Sequence, residues 1–137
     1  MDTGEETARR RFAAARSGRL ATTRPDGRPH VVPIVFAVDG HRIVTVVDDK
    51  PKRSADLQRL RNVEAQPAVS VLVDHYDEDW QRLWWARADG IARVVHGGPE
   101  WEAAVRLLQD KYAQYRQLRT LGPALVIDVT RWTSWSG

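Results

Sequence analysis

The chain contains no cysteine. Disulfides, thiolate metal sites, iron–sulfur clusters and cysteine nucleophiles are therefore excluded. No apolar run approaches the ~20 residues that cross a bilayer as a helix. The opening segment "MDTGEETARRRFAAARSG", acidic and then basic, lacks the apolar stretch of a secretory signal. The expected location is the cytoplasm, with no membrane partner. There is no Gly-x-Gly-x-x-Gly loop, P-loop or Gly-x-Ser-x-Gly elbow. A nucleotide must be held in some other way, and serine-hydrolase chemistry has no support. Lysine is scarce as well, with residues 50, 52 and 111 its only occurrences among 21 Lys and Arg.

What is present suits one soluble domain: 137 residues, 42% of them hydrophobic and 28% charged. A net charge of +3 raises the question of nucleic acid. Acidic residues are interspersed almost everywhere, however, as in "DHYDED" and "GGPEWEAA". A basic groove would concentrate one sign, so nucleic-acid binding is not expected. His30, His41, His75 and His96 fall in four separate elements and form no helical i, i+4 pair, so no metal site is expected. Asp48-Asp49 and Asp77-Glu78-Asp79 sit in turn contexts and read as solvated turns rather than acid–base pairs.

Periodicity and turn signals give the elements. A first helix spans about 5–16 and stops at Gly18. "RLATT", the turn "RPDGRP" and "HVVPIVFAV" read as strand, turn, strand, and "RIVTVV" follows Asp39-Gly40 as a third strand. Pro33 cannot donate to a ladder, so the second strand is expected at an edge, at a bulge or where the ladder is interrupted. A second helix starts at Ser54, buries Leu57, Leu60 and Val63, and ends before Pro67. "AVSVLVDHY" is the fourth strand, central by its apolar run. "RLWWARADGIARVV" is the fifth, with Trp84 and Trp85 on opposite faces. A third helix covers about 99–117, and "ALVIDVTRW" supplies the sixth strand. Six antiparallel strands in hairpin order with three inserted helices predict a mainly β, α+β barrel with the helices packed outside.

One segment is electrostatically odd. In "VVDDKPKRSADLQRLRN", Lys50, Lys52 and Arg53 crowd the start of the second helix, whose positive dipole end disfavours cations. A phosphate bound by those side chains and the free backbone N–H groups would make the arrangement favourable. Arg59 and Asn62, at i and i+3, share a flank of that helix. The alternative is a solvated turn screened by salt, and the residues alone leave both readings open. Tryptophan is the second oddity, six in all, clustered in "DWQRLWW" and "RWTSW". Such residues build cores or interfaces, or a wall for a flat conjugated ring. One of Trp84 and Trp85 is expected to face a partner subunit or a ligand.

The combination "LATTRPDGRPHVVPIVFAVDG" and "KPKR…RLRN…PAVSVLVD" resembles the pyridoxamine-phosphate-oxidase-like flavin and deazaflavin split-barrel superfamily. "DKPKR", "RLRN", "SVLVDHYDEDW" and "LWWARADG" look most like its small actinobacterial coenzyme F(420)-dependent oxidoreductases. The resemblance runs from about residue 13 to 135. It implies a six-stranded split β-barrel, a homodimer, and a cofactor in each of two grooves at the interface. His30, Val32 and Pro33 would line the ring. Thr45, Val47, Asp48, Lys50 and Lys52 would lie by the ring edge and phosphate. Arg59 and Asn62, with Pro67 and Ser70 following, match a basic-x-x-Asn pattern, although the basic residue here is Arg where many relatives have Lys. Phosphate contact falls to Lys52, Arg53 or Arg59. Trp80 and Trp85 from the partner chain would complete the site. The implied reaction is hydride transfer from reduced deazaflavin to a small electrophilic substrate. The alternatives are an FMN-dependent oxidase or reductase, and a non-catalytic binder of flavin, deazaflavin or haem. No catalytic side chain is assigned, His30 and Tyr76 being the candidate proton donors.

Overall fold

The structure is a computed structural model that describes residues 4–48, 54–118 and 120–137, without the side chains of 54–57. Among these residues the order is α1 (Gly4–Ala14), β1 (Gly18–Thr23), β2 (Pro29–Ile34), β3 (Ala37–Asp39), β4 (Arg42–Val46), α2 (Ser54–Ala65), β5 (Ala68–His75), β6 (Trp84–Val95), α3 (Pro99–Lys111) and β7 (Ala124–Ser136). Short 3₁₀ turns cover Trp80–Arg82 and Ala113–Gln117. No described helix is long and apolar enough to cross a membrane.

All strand pairs are antiparallel, in the order β2-β1-β5-β6-β7-β4-β3. The expected barrel of six strands has seven, because the stretch read as one strand from His30 to Val38 divides into β2 and β3. The division falls just after Pro33, which cannot donate to a ladder. At Phe36 the backbone turns to a side chain instead: its N–H donates to Tyr112 Oη at 3.3 Å. That phenol lies 3.1 Å and 3.0 Å from the carbonyls of Phe36 and Arg16, with one hydrogen to give.

β2 and β3 are consecutive in the chain yet stand at opposite ends of the strand order. The sheet must therefore curl until its two edges meet at residues 35 and 36, which makes it a split barrel. β4 from Ile43 to Val46 and the start of β7, Ala124–Ile127, are buried on both faces. Ile43, Leu125 and Ile127 join Phe12, Leu20, Phe36, Val71 and Ala88 inside the barrel, with α1 and α2 closing it. Val44, Val46, Ala124 and Val126 face α3, under Val105 and Leu108. Leu60 and Val63 of α2 are buried as the 3.6-residue spacing requires, while the Leu57 side chain lies outside the described residues. α3 is shorter than expected and gives way to the 3₁₀ turn after Lys111. β7 runs on four residues beyond the expected end at Trp132, paired with Trp84–Arg87 of β6.

Among the described residues no helix packs on the outward face of β2-β1-β5-β6. Strand alternation places Val31, Ala21, Ser70 and Asp89 on one rung of it, with Pro33, Arg19, Leu72 and Arg87 on the next. Val31 is 61% and Ile91 49% exposed on this face, far more than isolated strand residues need be.

Candidate functional site

The split between β2 and β4 holds a cavity of about 220 Å³. Pro33, Ile34 and Val35 form one wall and Thr45, Val46, Val47 and Asp48 the other. Arg59 of α2, Ser17 and Tyr115 complete the lining. The wall side chains of Pro33, Ile34, Val35, Val46 and Val47 are apolar, while backbone, Thr45, Asp48, Arg59 and Tyr115 make the lining at least as polar as it is apolar. Past the β3–β4 pairing, which ends at Ala37↔Val44, hydroxyls take over from backbone partners. Thr45 Oγ1 donates to the Val35 carbonyl at 2.8 Å, and Tyr115 Oη donates to the Val46 carbonyl at 2.7 Å.

Burial, with the Asp48 carboxylate nearby, pushes the Tyr115 phenol up to about 12. Tyr115 is thus a fixed hydrogen-bond donor rather than an acid at neutral pH. Asp48 and Arg59 supply one charge of each sign to the cavity. Arg59 also lies close enough to His30 to oppose its protonation. Burial first, then Arg24 and Arg59, hold that imidazole below its ordinary range.

Of the residues expected to touch a cofactor, Pro33, Thr45, Val47, Asp48 and Arg59 are brought together here. His30 and Val32 share the inward face of β2 with Ile34 but lie farther along the strand and do not line the cavity. Val32 packs against the core, and His30 Nδ1 is buried with no hydrogen-bond partner. Asn62 is fully buried under α2, where it donates to Thr22 Oγ1 at 3.0 Å and accepts from Gln58 Nε2 at 2.7 Å. It supports α2 from beneath and does not line the cavity. Lys50, Lys52 and Arg53 lie outside the described residues. Trp85 and Trp80 are not at the cavity of their own chain. Trp85 lines a separate cleft at the far end of the sheet, and Trp80 is 69% exposed in its 3₁₀ turn. Ile34 closes the second-strand stretch expected to line the ring, while Ser17, Val35, Val46 and Tyr115 were not anticipated. The break beside Pro33 was the one sequence signal that pointed toward them.

A cavity of this size is smaller than the roughly 300–1,000 Å³ typical of sites for drug-sized ligands. One chain therefore offers room for a phosphate or the edge of a ring, with a cation to meet the first and the Pro33, Ile34 and Val47 side chains for the second. Among the described residues no three His, Asp or Glu side chains converge as metal ligands.

Residues 5–136 match the family model described as pyridoxamine 5'-phosphate oxidase. The chain belongs to this family. Among solved structures, it is similar to a conserved hypothetical protein, Rv2991, from Mycobacterium tuberculosis, at 22% identity and TM-score 0.77 over 99% of this chain and 86% of that one. It is also similar to HutZ, the heme storage protein of Vibrio cholerae, at 15% identity and TM-score 0.69 over 98% and 95% of the two chains. An FAD-binding protein from Mycobacterium smegmatis aligns at 20% identity and TM-score 0.62 over 94% and 91%. At these identities the likeness establishes the split-barrel fold. No curated protein matches the sequence.

Proposed function

We propose that this family member is a coenzyme F(420)-dependent oxidoreductase acting as a homodimer, with the cofactor's phosphate end held at the split. One observation carries this reading: two residues past the end of β4, Asp48 lines the cavity together with Arg59, and the five residues that follow in the sequence include Lys50, Lys52 and Arg53. A phosphate at that point would be met by charge-assisted hydrogen bonds. Bound deazaflavin would supply the hydride that no side chain can carry. The protein's own part is positional. Arg59 binds the anion, Pro33, Ile34 and Val47 exclude water, the Thr45 hydroxyl ties the two walls together, and the Tyr115 hydroxyl braces the β4 wall. No cavity residue is assigned as proton donor, and solvent serves that role.

The second chain is argued from the bare sheet face. A cavity this small calls for a second surface to enclose a whole cofactor, and Val31 and Ile91 offer apolar area for one. Val31→Asp should then convert a dimer to a monomer in sedimentation velocity. A non-catalytic flavin or haem binder is the second reading, favoured by the absence of an acid–base pair among the described cavity residues.

Titrating the protein with F(420), FMN and haem, followed by tryptophan fluorescence quenching, decides between them. Tightest binding is expected for F(420), weakened by about tenfold or more in Arg59→Gln, the loss expected when a charged phosphate partner is removed. Tight FMN or haem binding with no F(420) binding would overturn the cofactor assignment. Unchanged F(420) affinity in Arg59→Gln would remove Arg59 from the phosphate site.

A further inference from the structure

Lys111, the last residue of α3, carries an amine that the cavity at the split does not use. Its Nζ is closed off from solvent and has no hydrogen-bond partner among the described residues. What it meets is aromatic: the Phe36 ring centroid at 4.3 Å and the Tyr112 ring centroid at 5.3 Å. The Arg16 guanidinium lies over the same Tyr112 ring, 4.7 Å from its centroid. Two cations therefore share one aromatic platform, and each opposes the other's charge. A lysine at a helix C-terminus ordinarily serves the free carbonyls and the negative end of the dipole. Here Arg16 fills that role, its Nη2 donating to the Lys111 carbonyl at 3.0 Å. The Lys111 charge is left superfluous.

We infer that Lys111 is a carbamylation site, its neutral amine taking up carbon dioxide and the carbamate so formed pairing with Arg16. The Nζ lone pair attacks the carbon of CO2, an N–C bond forms as one C=O pair moves onto oxygen, and the proton then lost from nitrogen goes to solvent. No electrons are gained or lost overall, so no oxidant or reductant is needed. Burial, and then Arg16, bring the amine down to about 8 from 10.5, so roughly 300-fold more of it is neutral and nucleophilic at pH 7 than in an ordinary lysine. Carbon dioxide is small, uncharged and apolar, which suits entry between aromatic rings. The product replaces a cation by an anion and turns a like-charge pair into a charge-assisted one. Its two oxygens match the planar fork of the guanidinium, and the flexible four-carbon stem carries them away from the electron-rich ring faces. Neither Lys111 nor Arg16 lines the cavity at the split, so the inference stands whichever cofactor that cavity holds.

The test incubates the full chain with carbon-13 bicarbonate near neutral pH and reads the carbamate carbon by NMR. Trapping with triethyloxonium and peptide mass spectrometry then locates the adduct. It is expected on Lys111 in wild type and absent from Lys111→Met and Lys111→Arg, while the α-amino group, ordinarily near 8, reacts in all three as a control. Arg16→Gln should lower occupancy about tenfold, the change that one charge-assisted contact confers. Arg16→Lys should retain part of it, which separates loss of charge from loss of fold. Bicarbonate should raise the melting temperature of wild type and leave that of Lys111→Met unmoved. No adduct at Lys111 in the folded wild type, or one that forms only in urea, would overturn the inference. Equal occupancy in wild type and Arg16→Gln would overturn it too, since the carbamate would then lack its partner.

Discussion

Thr45 Oγ1 reaches across the split to the carbonyl of Val35 at 2.8 Å, from a side chain only 5% exposed. It is one of the few bonds joining β4 to the chain between β2 and β3. Thr45→Val keeps the shape and removes the donor, leaving the carbonyl unmatched. The expected cost is about 1–2 kcal/mol, read as a lower urea midpoint with an unchanged slope.

Tyr115 makes the matching contact to Val46 from the other side, and its proton is held more tightly in the folded protein than in the unfolded chain. Its contribution is therefore complete below the ordinary phenol value of 10 and is lost as pH rises toward about 12. Tyr115→Phe should lower stability at pH 7 by about 1 kcal/mol. The difference between the two proteins should shrink between those pH values in urea titrations.

Lys111 presents the opposite case. Burial, and then the nearby Arg16 cation, bring its ammonium down to about 8 from 10.5. Its Nζ has no hydrogen-bond partner and rests 4.3 Å from the Phe36 ring centroid, a contact that offsets part of the cost. A base depressed in the folded state is a burden wherever it is charged, so the penalty is full below pH 8. Lys111→Met should raise stability at pH 7 by about 1 kcal/mol. That gain should fade as pH climbs from about 8 to 10.5, as followed by thermal melts across the range.

Asn62 fixes α2 to β1 through Thr22 with no exposure to solvent. Asn62→Ala leaves two polar partners unmet and a small void. The expected loss is about 2–3 kcal/mol. Because α2 carries Arg59, F(420) affinity should also fall. Asn62→Asp, which keeps an acceptor for Gln58 but loses the amide donor to Thr22, should behave similarly in a thermal shift assay.

Much of the architecture was legible because its signals are local. Ser54 and Pro67 bracket α2, Asp39-Gly40 forms the hairpin turn, and Trp84 and Trp85 alternate across β6 as the strand period requires. Pro33 marked the interruption, but which residue would part from the ladder depended on Tyr112, 76 residues away at Phe36. The same reason hid Tyr115: a 3₁₀ turn after α3 carries no periodic signal, and its partner carbonyl is on β4. Arg59 was identifiable from its charge and its i, i+3 spacing with Asn62 on α2. Asn62, on the same flank by spacing, turned inward because Thr22 supplied a buried partner. Sequence spacing on a helix gives neighbours along the surface, while the depth of each is set by the strand beneath.

The hydroxyls that bridge the split have a mechanical meaning. A closed barrel resists shear through an unbroken belt of backbone bonds, and here the belt has a gap spanned by single side chains, Thr45 across to Val35 and Tyr112 at Phe36. A molecule lodged between Pro33 and Val47 would act as a missing link in that belt, gripping both margins at once. Ligand binding should then slow amide hydrogen exchange most at Val35, Phe36 and Val47, and least in β5 and β6, whose partners flank them on both sides. The seam would double as the gauge, since occupancy of the cavity and rigidity of the barrel would be read from the same few amides.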